Sequence, residues 1–234
     1  MTEILDKAKQ WLSPTFDTET QEEITQLITS NAPDLADRFY KDMEFGTGGM
    51  RGIMGAGTNR VNKYTLGRAT QGLSNYLLEN VQKEQLKVVI AYDCRHNSKK
   101  FAKIVANVLS ANNIKVFLFE DLRATPELSF AVRHLDCDAG IVLTASHNPS
   151  EYNGYKVYWA DGGQIVPPHD GGIINNVNAL DFSEINFNAN DALIEIIGTE
   201  VDTVFIEASV KNGSLSEAID RKNLKIVFTS LHGT

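Results

Sequence analysis

The stretch TASHNP, residues 144–149, sets a hydroxyl, an imidazole and an amide in succession and closes them with a proline. Ser146 beside His147 pairs a nucleophile with a base, the chemistry of covalent group transfer. A strand-end serine more often only caps a turn. Few turns, however, need Thr144, His147, Asn148 and Pro149 around one hydroxyl. Lys156, ten residues on, alternates with Tyr155, Val157 and Trp159 and so occupies the opposite strand face. Its ammonium either snorkels to solvent or, lining a site, holds a phosphate or accepts a hydroxyl proton once its pKa falls from about 10.4. FGTGGMRG, residues 45–52, lacks the GK[ST] of a P-loop and has Arg51 where a dinucleotide fingerprint needs glycine. Adjacent glycines still let backbone N–H groups approach an anion, and Arg51 offers it paired donors; a tight turn is the plainer use. In YDCRHNS, residues 92–98, Asp93 and Arg95 read either as an ion pair orienting a site or as a salt bridge between loops.

The elements that must position these groups follow from periodicity. Ile4, Leu5, Ala8, Trp11 and Leu12, then Ile24, Leu27 and Ile28, predict two short helices at the front. A short strand is expected around Met50–Met54. Leu66, Ala69, Leu73, Tyr76, Leu77 and Val81 form one helical face. KVVIAYD (87–93), KVFLFED (115–121), AGIVLTAS (139–146) and GYKVYW (154–159) are strands, and near-continuous apolar character marks the first as covered on both faces. Between them lie a helix capped by Ser98 and ended by Asn112 and Asn113, and a second capped by Thr125 with Pro126 in its first turn. This alternation predicts a layered α/β domain with a largely parallel sheet, its ligands beyond the carboxyl ends of the strands. Asp93, Asp121 and Ser146 then share one edge. After residue 161 the chain is turn-rich, with a helix to follow, a loop-like DFSEINFNAND (181–191), a helix around 201–210 and a fresh apolar strand at 224–228. The expected division is a helical extension (1–40), the α/β domain (41–208), and a linker with the first strand of another domain (209–234).

With 234 residues, 42% hydrophobic and 22% charged, the chain can bury one sizeable core. Its formal charge of −8 and pI near 5.1 argue against a duplex-DNA or anionic-membrane surface, so no nucleic acid or membrane partner is expected. Any anionic ligand needs a local basic pocket. Cys94 and Cys137 have no metal or disulfide spacing and read as reduced thiols. No leader, and no stretch of about 18 apolar residues, is recognised, and a cytoplasmic protein is expected.

TASHNP followed by NGYKVY, and preceded by FGTGGMRG and YDCRHNS, resembles the α-D-phosphohexomutase superfamily of phosphoglucomutases and phosphomannomutases. TPELSFAVRHL and the N-terminal helices are most similar to its phosphopentomutase-like and bisphosphate-forming branch. The resemblance implies a three-layer α/β/α domain with a mixed, largely parallel sheet behind a helical extension. It implies that Ser146 is a phosphoserine that gives its phosphoryl group to a sugar phosphate and regains one from the resulting bisphosphate, with that phosphate also a ligand of Mg²⁺. His147 and Lys156 match residues of proton transfer and phosphate contact, Arg51 the arginine beside the phosphoserine, and Asn148 the residue completing the loop. Thr47, Gly48 and Gly49 are implied in phosphate binding, and Asp93 and Arg95 in support behind them. A glucose 1,6-bisphosphate-type activator is implied as well. Cys94 stands where serine is commoner in the family. The family's acidic DGDGD metal loop is not in this sequence, while FTSLHGT, which ends at Thr234, is similar to the opening strand of the family's second domain. The remaining Mg²⁺ ligands are therefore expected beyond Thr234, and residues 1–234 alone are expected not to catalyse. Three rivals remain: a phosphopentomutase or bisphosphate synthase of the same superfamily, a sugar-phosphate-binding module without turnover, and a serine hydrolase. Against the hydrolase stand the missing G-x-S-x-G elbow and the expectation that an adjacent His147 cannot easily fold back onto its neighbour's hydroxyl.

Overall fold

A computed structural model of the chain describes residues 2–213 and 224–227. Its front is helical, as the periodicity predicts: α1 (Thr2–Gln10) and α2 (Thr18–Thr29), the latter capped by the Asp17 carboxylate accepting from the Thr20 amide at 3.0 Å. A third helix, α3 (Leu35–Phe39), has too few turns to show a period in sequence. These helices bury Trp11, Phe16, Ile24 and Phe39 against Tyr64, with Phe182 and Phe187 packed alongside. Trp11 stacks on Phe16 at 4.4 Å and meets Phe182 edge-on at 5.4 Å, the offset and T-shaped arrangements aromatic rings prefer.

β1 (Gly49–Ile53) leads to α4 (Lys63–Asn80), whose start is fixed by a reciprocal cap: Asn62 Oδ1 accepts from the amides of Tyr64 and Thr65, and Thr65 Oγ1 accepts from the Asn62 amide. Then follow β2 (Lys87–Tyr92), α5 (Ser98–Ala111), β3 (Lys115–Phe119), α6 (Thr125–His134), β4 (Ala139–Leu143) and β5 (Tyr152–Trp159). α7 (His169–Ala179), β6 (Ile194–Ile197) and α8 (Thr199–Asn212) complete the domain. The six strands form one sheet in the order β1-β5-β4-β2-β3-β6. β2, β3, β4 and β6 pair in parallel, while β5 runs antiparallel to both β4 and β1. One face packs on α4, α5 and α7 through residues such as Leu73, Ile90, Leu109, Ile141 and Ile173; the other packs on α6 and α8 through Val89, Leu128, Val142, Phe119 and Val201. The fold is the three-layer α/β/α arrangement with a mixed sheet.

Several expectations change in detail. β4 ends at Leu143 rather than 146, because Thr144–Ser146 leave the ladder for a turn. α5 begins at Ser98, but the preceding residue is Asn97, in the left-handed region at φ 63, and the Ser98 hydroxyl serves Asp93 instead of capping. Thr125 lies inside α6 rather than capping it; Ala124 precedes the helix, and Pro126 in the first turn lacks an N–H that would otherwise want an acceptor. β6 forms where the sequence pattern announces no element, since IEII is a short β-branched run after a polar stretch. Residues 224–227 lie in no strand. Phe228 to Thr234, the rest of the segment expected to open another domain, are outside the described residues.

Candidate active site

The loop after β4 is shaped by its own side chains and by β5. The Thr144 amide donates to the Gly154 carbonyl, and the Thr144 hydroxyl accepts from the Ser146 amide at 2.9 Å. Ser146 sits at φ 55, a left-handed conformation that costs a non-glycine residue on the order of 1–2 kcal/mol and must be held by its surroundings. Its hydroxyl is half-buried and lies 3.3 Å from Nδ1 of the exposed His147. The neighbouring imidazole thus does reach the serine, contrary to the sequence expectation, because the left-handed residue turns the two side chains to one side. No carboxylate orients His147 among the described residues, so a hydrolase triad is not assembled there.

The holder is Arg95. Its Nη2 donates to the carbonyls of Ser146 and Asn148, and its Nη1 to those of Pro149 and Tyr152, at 2.5–3.1 Å. One guanidinium thereby gathers four carbonyls from both ends of the loop. Behind it, buried Asp93 accepts from the Arg95 amide (3.0 Å) and the Ser98 hydroxyl (2.9 Å), with Oδ2 3.4 Å from Arg95 Nε. Asp93 and Arg95 do form an ion pair, and it bears directly on the serine loop.

Arg51 and Lys156 supply the charge. Gly49 pairs with Lys156 and Arg51 with Gly154, so the two cations share the sheet face of Val142 at the carboxyl end of β4. Arg51 is exposed and donates to the Asn148 side chain at 2.8 Å. Lys156 meets no carboxylate within ion-pair distance among the described residues. Partial burial, then the neighbouring Arg51, pull its pKa below the ordinary lysine value, against the attraction of Asp93. A cleft of about 500 Å³ runs from Arg51 and Tyr152 along β1 to Lys41 and Arg60.

The glycine turn stands farther down the same strand. Gly46 and Gly49 exchange backbone hydrogen bonds, the Gly48 carbonyl accepts from the Val157 amide and from Gln164, and the Thr47 hydroxyl donates to Asp170 on α7. A side chain at Gly49, which has φ 125, would place Cβ 1.8 Å from the Tyr155 carbonyl oxygen. The structure therefore brings together Ser146, His147, Asn148, Arg51, Asp93 and Arg95, with Lys156 on the adjoining strand. Thr47 and Gly48 instead face α7 and Gln164, roughly 10 Å along the strand from Gly154. Two residues escaped the sequence reading. Asn153 and Ser98, which lie within NGYKVY and YDCRHNS, are buried behind Asp93, a place that the sequence reading, with Ser98 only as a helix cap, does not give them.

Mg²⁺ asks for about six oxygen ligands. The described residues hold no grouping of three or more His, Cys, Asp or Glu arranged to hold a metal ion, so they do not by themselves fit a resident Mg²⁺. The further ligands expected beyond Thr234 fall outside this sequence.

The model of the phosphoglucomutase/phosphomannomutase α/β/α domain I matches residues 42–184. The chain belongs to this family. Phosphoglucomutases from Staphylococcus haemolyticus (strain JCSC1435) and Staphylococcus epidermidis (strain ATCC 12228 / FDA PCI 1200) are 40% and 41% identical to this family member over 203 and 197 residues, 84% and 82% of the chain. The chain spans 36% and 35% of those relatives' lengths. Among solved structures, a Thermus thermophilus protein assigned as a phosphomannomutase aligns with TM-score 0.60 and 30% identity over 73% of the chain and 36% of its own. A Burkholderia thailandensis member of the phosphoglucomutase/phosphomannomutase family, at 22% identity and TM-score 0.53 over 72% of the chain and 35% of its own, shares the fold. No helix among the described residues is long and apolar enough to cross a membrane.

Proposed function

We propose that the full-length protein is a phosphosugar mutase that moves a phosphoryl group between the 1- and 6-positions of a hexose phosphate, with Ser146 as its carrier. The observation that carries this reading is the pairing of a clamped, accessible serine hydroxyl with two cations, Arg51 and Lys156, that meet no carboxylate among the described residues. In the first half-reaction a sugar hydroxyl oxygen attacks the phosphorus of phospho-Ser146. The P–Oγ bond breaks, a P–O bond to the sugar forms, and the hydroxyl proton leaves to a base. Lys156, its pKa lowered, is suited to take that proton, and His147, at hydrogen-bond reach of Oγ, is suited to return one to the serine. Arg51 neutralises charge on the phosphoryl oxygens as they pass. The bisphosphate then turns over and its other phosphoryl group returns to Ser146 by the reverse steps. If the bisphosphate escapes, a glucose 1,6-bisphosphate-type activator restores the phosphoserine. Thr47, Gly48 and Gly49 form the turn that carries Arg51 to the serine; any contact of theirs with phosphate is to a substrate reaching along β1. A Mg²⁺ ion held by the full-length protein would supply positive charge to the transferring group. We place its acidic ligands beyond Thr234, in the additional length that the relatives possess, and residues 1–234 alone are then without turnover.

The naming of the Staphylococcus relatives as phosphoglucomutases supports a hexose over a pentose. The test is a coupled assay on the full-length protein with glucose 1-phosphate, mannose 1-phosphate and ribose 1-phosphate, alongside peptide mass spectrometry. Fastest turnover on a hexose and a single phosphoryl group on the Ser146 peptide are expected. Phosphate confined to another serine, or ribose 1-phosphate as the best substrate, would overturn the assignment.

A further inference from the structure

Resting on that mutase reading, we infer that Asn153 and Ser98 are positioning residues for phosphoryl transfer: a one-way chain of hydrogen bonds through them sets the Asp93–Arg95 pair that holds Ser146 in place.

Asn153 is fully buried on β5, opposite Gly52 of β1. Its side-chain oxygen accepts from the Gly154 amide at 2.8 Å, which fixes the orientation of the amide group. Its nitrogen then donates to the His96 carbonyl at 3.1 Å and to the Ser98 hydroxyl at 3.0 Å. A hydroxyl that receives there spends its single proton elsewhere, and Ser98 gives it to Asp93 Oδ1 at 2.9 Å. Asp93 is thus supplied with donors from Ser98 and from the Arg95 backbone, and its carboxylate faces the Arg95 guanidinium. Arg95 in turn has both terminal nitrogens committed to the Ser146, Asn148, Pro149 and Tyr152 carbonyls. The donors run from amide to hydroxyl to carboxylate, where the Arg95 amide and guanidinium converge from the other side, and the same guanidinium donates onward to the loop. The chain joins residues some 55 positions apart and ends on the one loop residue held in a left-handed conformation.

This polarity makes a near-isosteric reversal possible. Asn153→Asp keeps the shape, but an ionised carboxylate accepts instead of donating. The Ser98 proton would be drawn to residue 153, Asp93 would lose a donor, and a second buried negative charge would stand near it. A carboxyl group so placed has a raised pKa through burial and like charge. On acidification it takes up a proton and becomes a donor again, restoring the original direction in part.

The experiment compares Asn153→Asp, Ser98→Ala and Ser146→Ala with wild type in the full-length protein, measuring turnover of glucose 1-phosphate and phosphate occupancy of Ser146. At about pH 8, Asn153→Asp should lower kcat by about tenfold or more with KM within about threefold, and the ratio of variant to wild-type kcat should rise toward about pH 6. Ser98→Ala should lose kcat by a similar factor with no recovery. A variant-to-wild-type ratio within about twofold at both pH values, or a deficit that does not change with pH, overturns the inference. If circular dichroism shows that Asn153→Asp does not fold, Ser98→Ala decides: a loss of kcat at unchanged KM supports the chain, and unchanged kcat overturns it. An inactive wild type with unphosphorylated Ser146 overturns the mutase reading, and this inference with it. An active wild type with indifferent variants overturns the inference alone.

Discussion

Two ends of the same sheet edge carry opposite charge. Beside the loop after β4, Arg51 and Lys156 meet no carboxylate among the described residues. Past β3 and β6, Arg123 is surrounded: Asp202 binds it through both oxygens at 2.6 and 2.9 Å, and Glu127 and Glu120 each lie 3.9 Å away. The Arg123 hydrogen bonds hold Asp202 below the usual carboxylate range, while burial, then Asp202 beside it, push Glu127 up to about 7. Arg123 is thereby tied to both α6 and α8, whereas Arg51 keeps only the neutral side chain of Asn148 as a partner among the described residues.

Replacement of residues at either end should separate chemistry from fastening. Ser146→Ala in the full-length protein should abolish the phosphoprotein and cut turnover by roughly a thousandfold or more, as loss of a covalent carrier does; mass spectrometry and the coupled assay read both. Arg51→Ala should cost at least about tenfold in kcat/KM, or about 1.4 kcal/mol of transition-state stabilisation, with the fold intact. Unchanged kinetics there would make the cationic end as structural as the acidic one.

At the acidic end the effect is on stability and depends on pH. Glu127 is protonated in the fold up to about pH 7, whereas in the unfolded chain it ionises near its ordinary value of 4.5. The folded state therefore binds more protons between these values, and stability falls as pH rises through that window. Glu127→Gln removes this dependence. It should stabilise the protein at pH 8 by on the order of 2 kcal/mol and do little near pH 4.5, with turnover unaffected. A thermal midpoint difference that is the same at both pH values would refute the raised pKa of Glu127. The smallest change should come from Cys94→Ser, an exposed side chain between Asp93 and Arg95: stability within about 0.5 kcal/mol and unaltered kinetics.

What could be read from sequence followed from local pattern. KVVIAYD and AGIVLTAS announce buried strands that break into polar residues, so the shared edge of Asp93 and Ser146 was visible, as was the charge of Arg51 and Lys156. The sequence leaves the Asp93–Arg95 pair open to two readings, and the four loop carbonyls bound by Arg95 tie it to the serine loop. Asn153 and Ser98 stand inside the NGYKVY and YDCRHNS motifs, but their joint role is not legible there, because an asparagine and a serine acquire it only when β5 and α5 meet across 55 residues. α3 is a single turn and more, too short for periodicity, and IEII in β6 becomes a strand only by pairing with β3.

The aromatic seam that joins the front helices to the domain also sets an order of events in the cell. Trp11 leaves the ribosome roughly 170 residues before Phe182, a wait of about 10–30 s at ordinary rates of synthesis. For that interval one face of Trp11 has no covering ring, and even Tyr64 arrives well before the last of its neighbours, Phe187. The front helices are thus made well before their last packing partners, and nascent chains interrupted before residue 182 should leave that side of Trp11 open to chaperones.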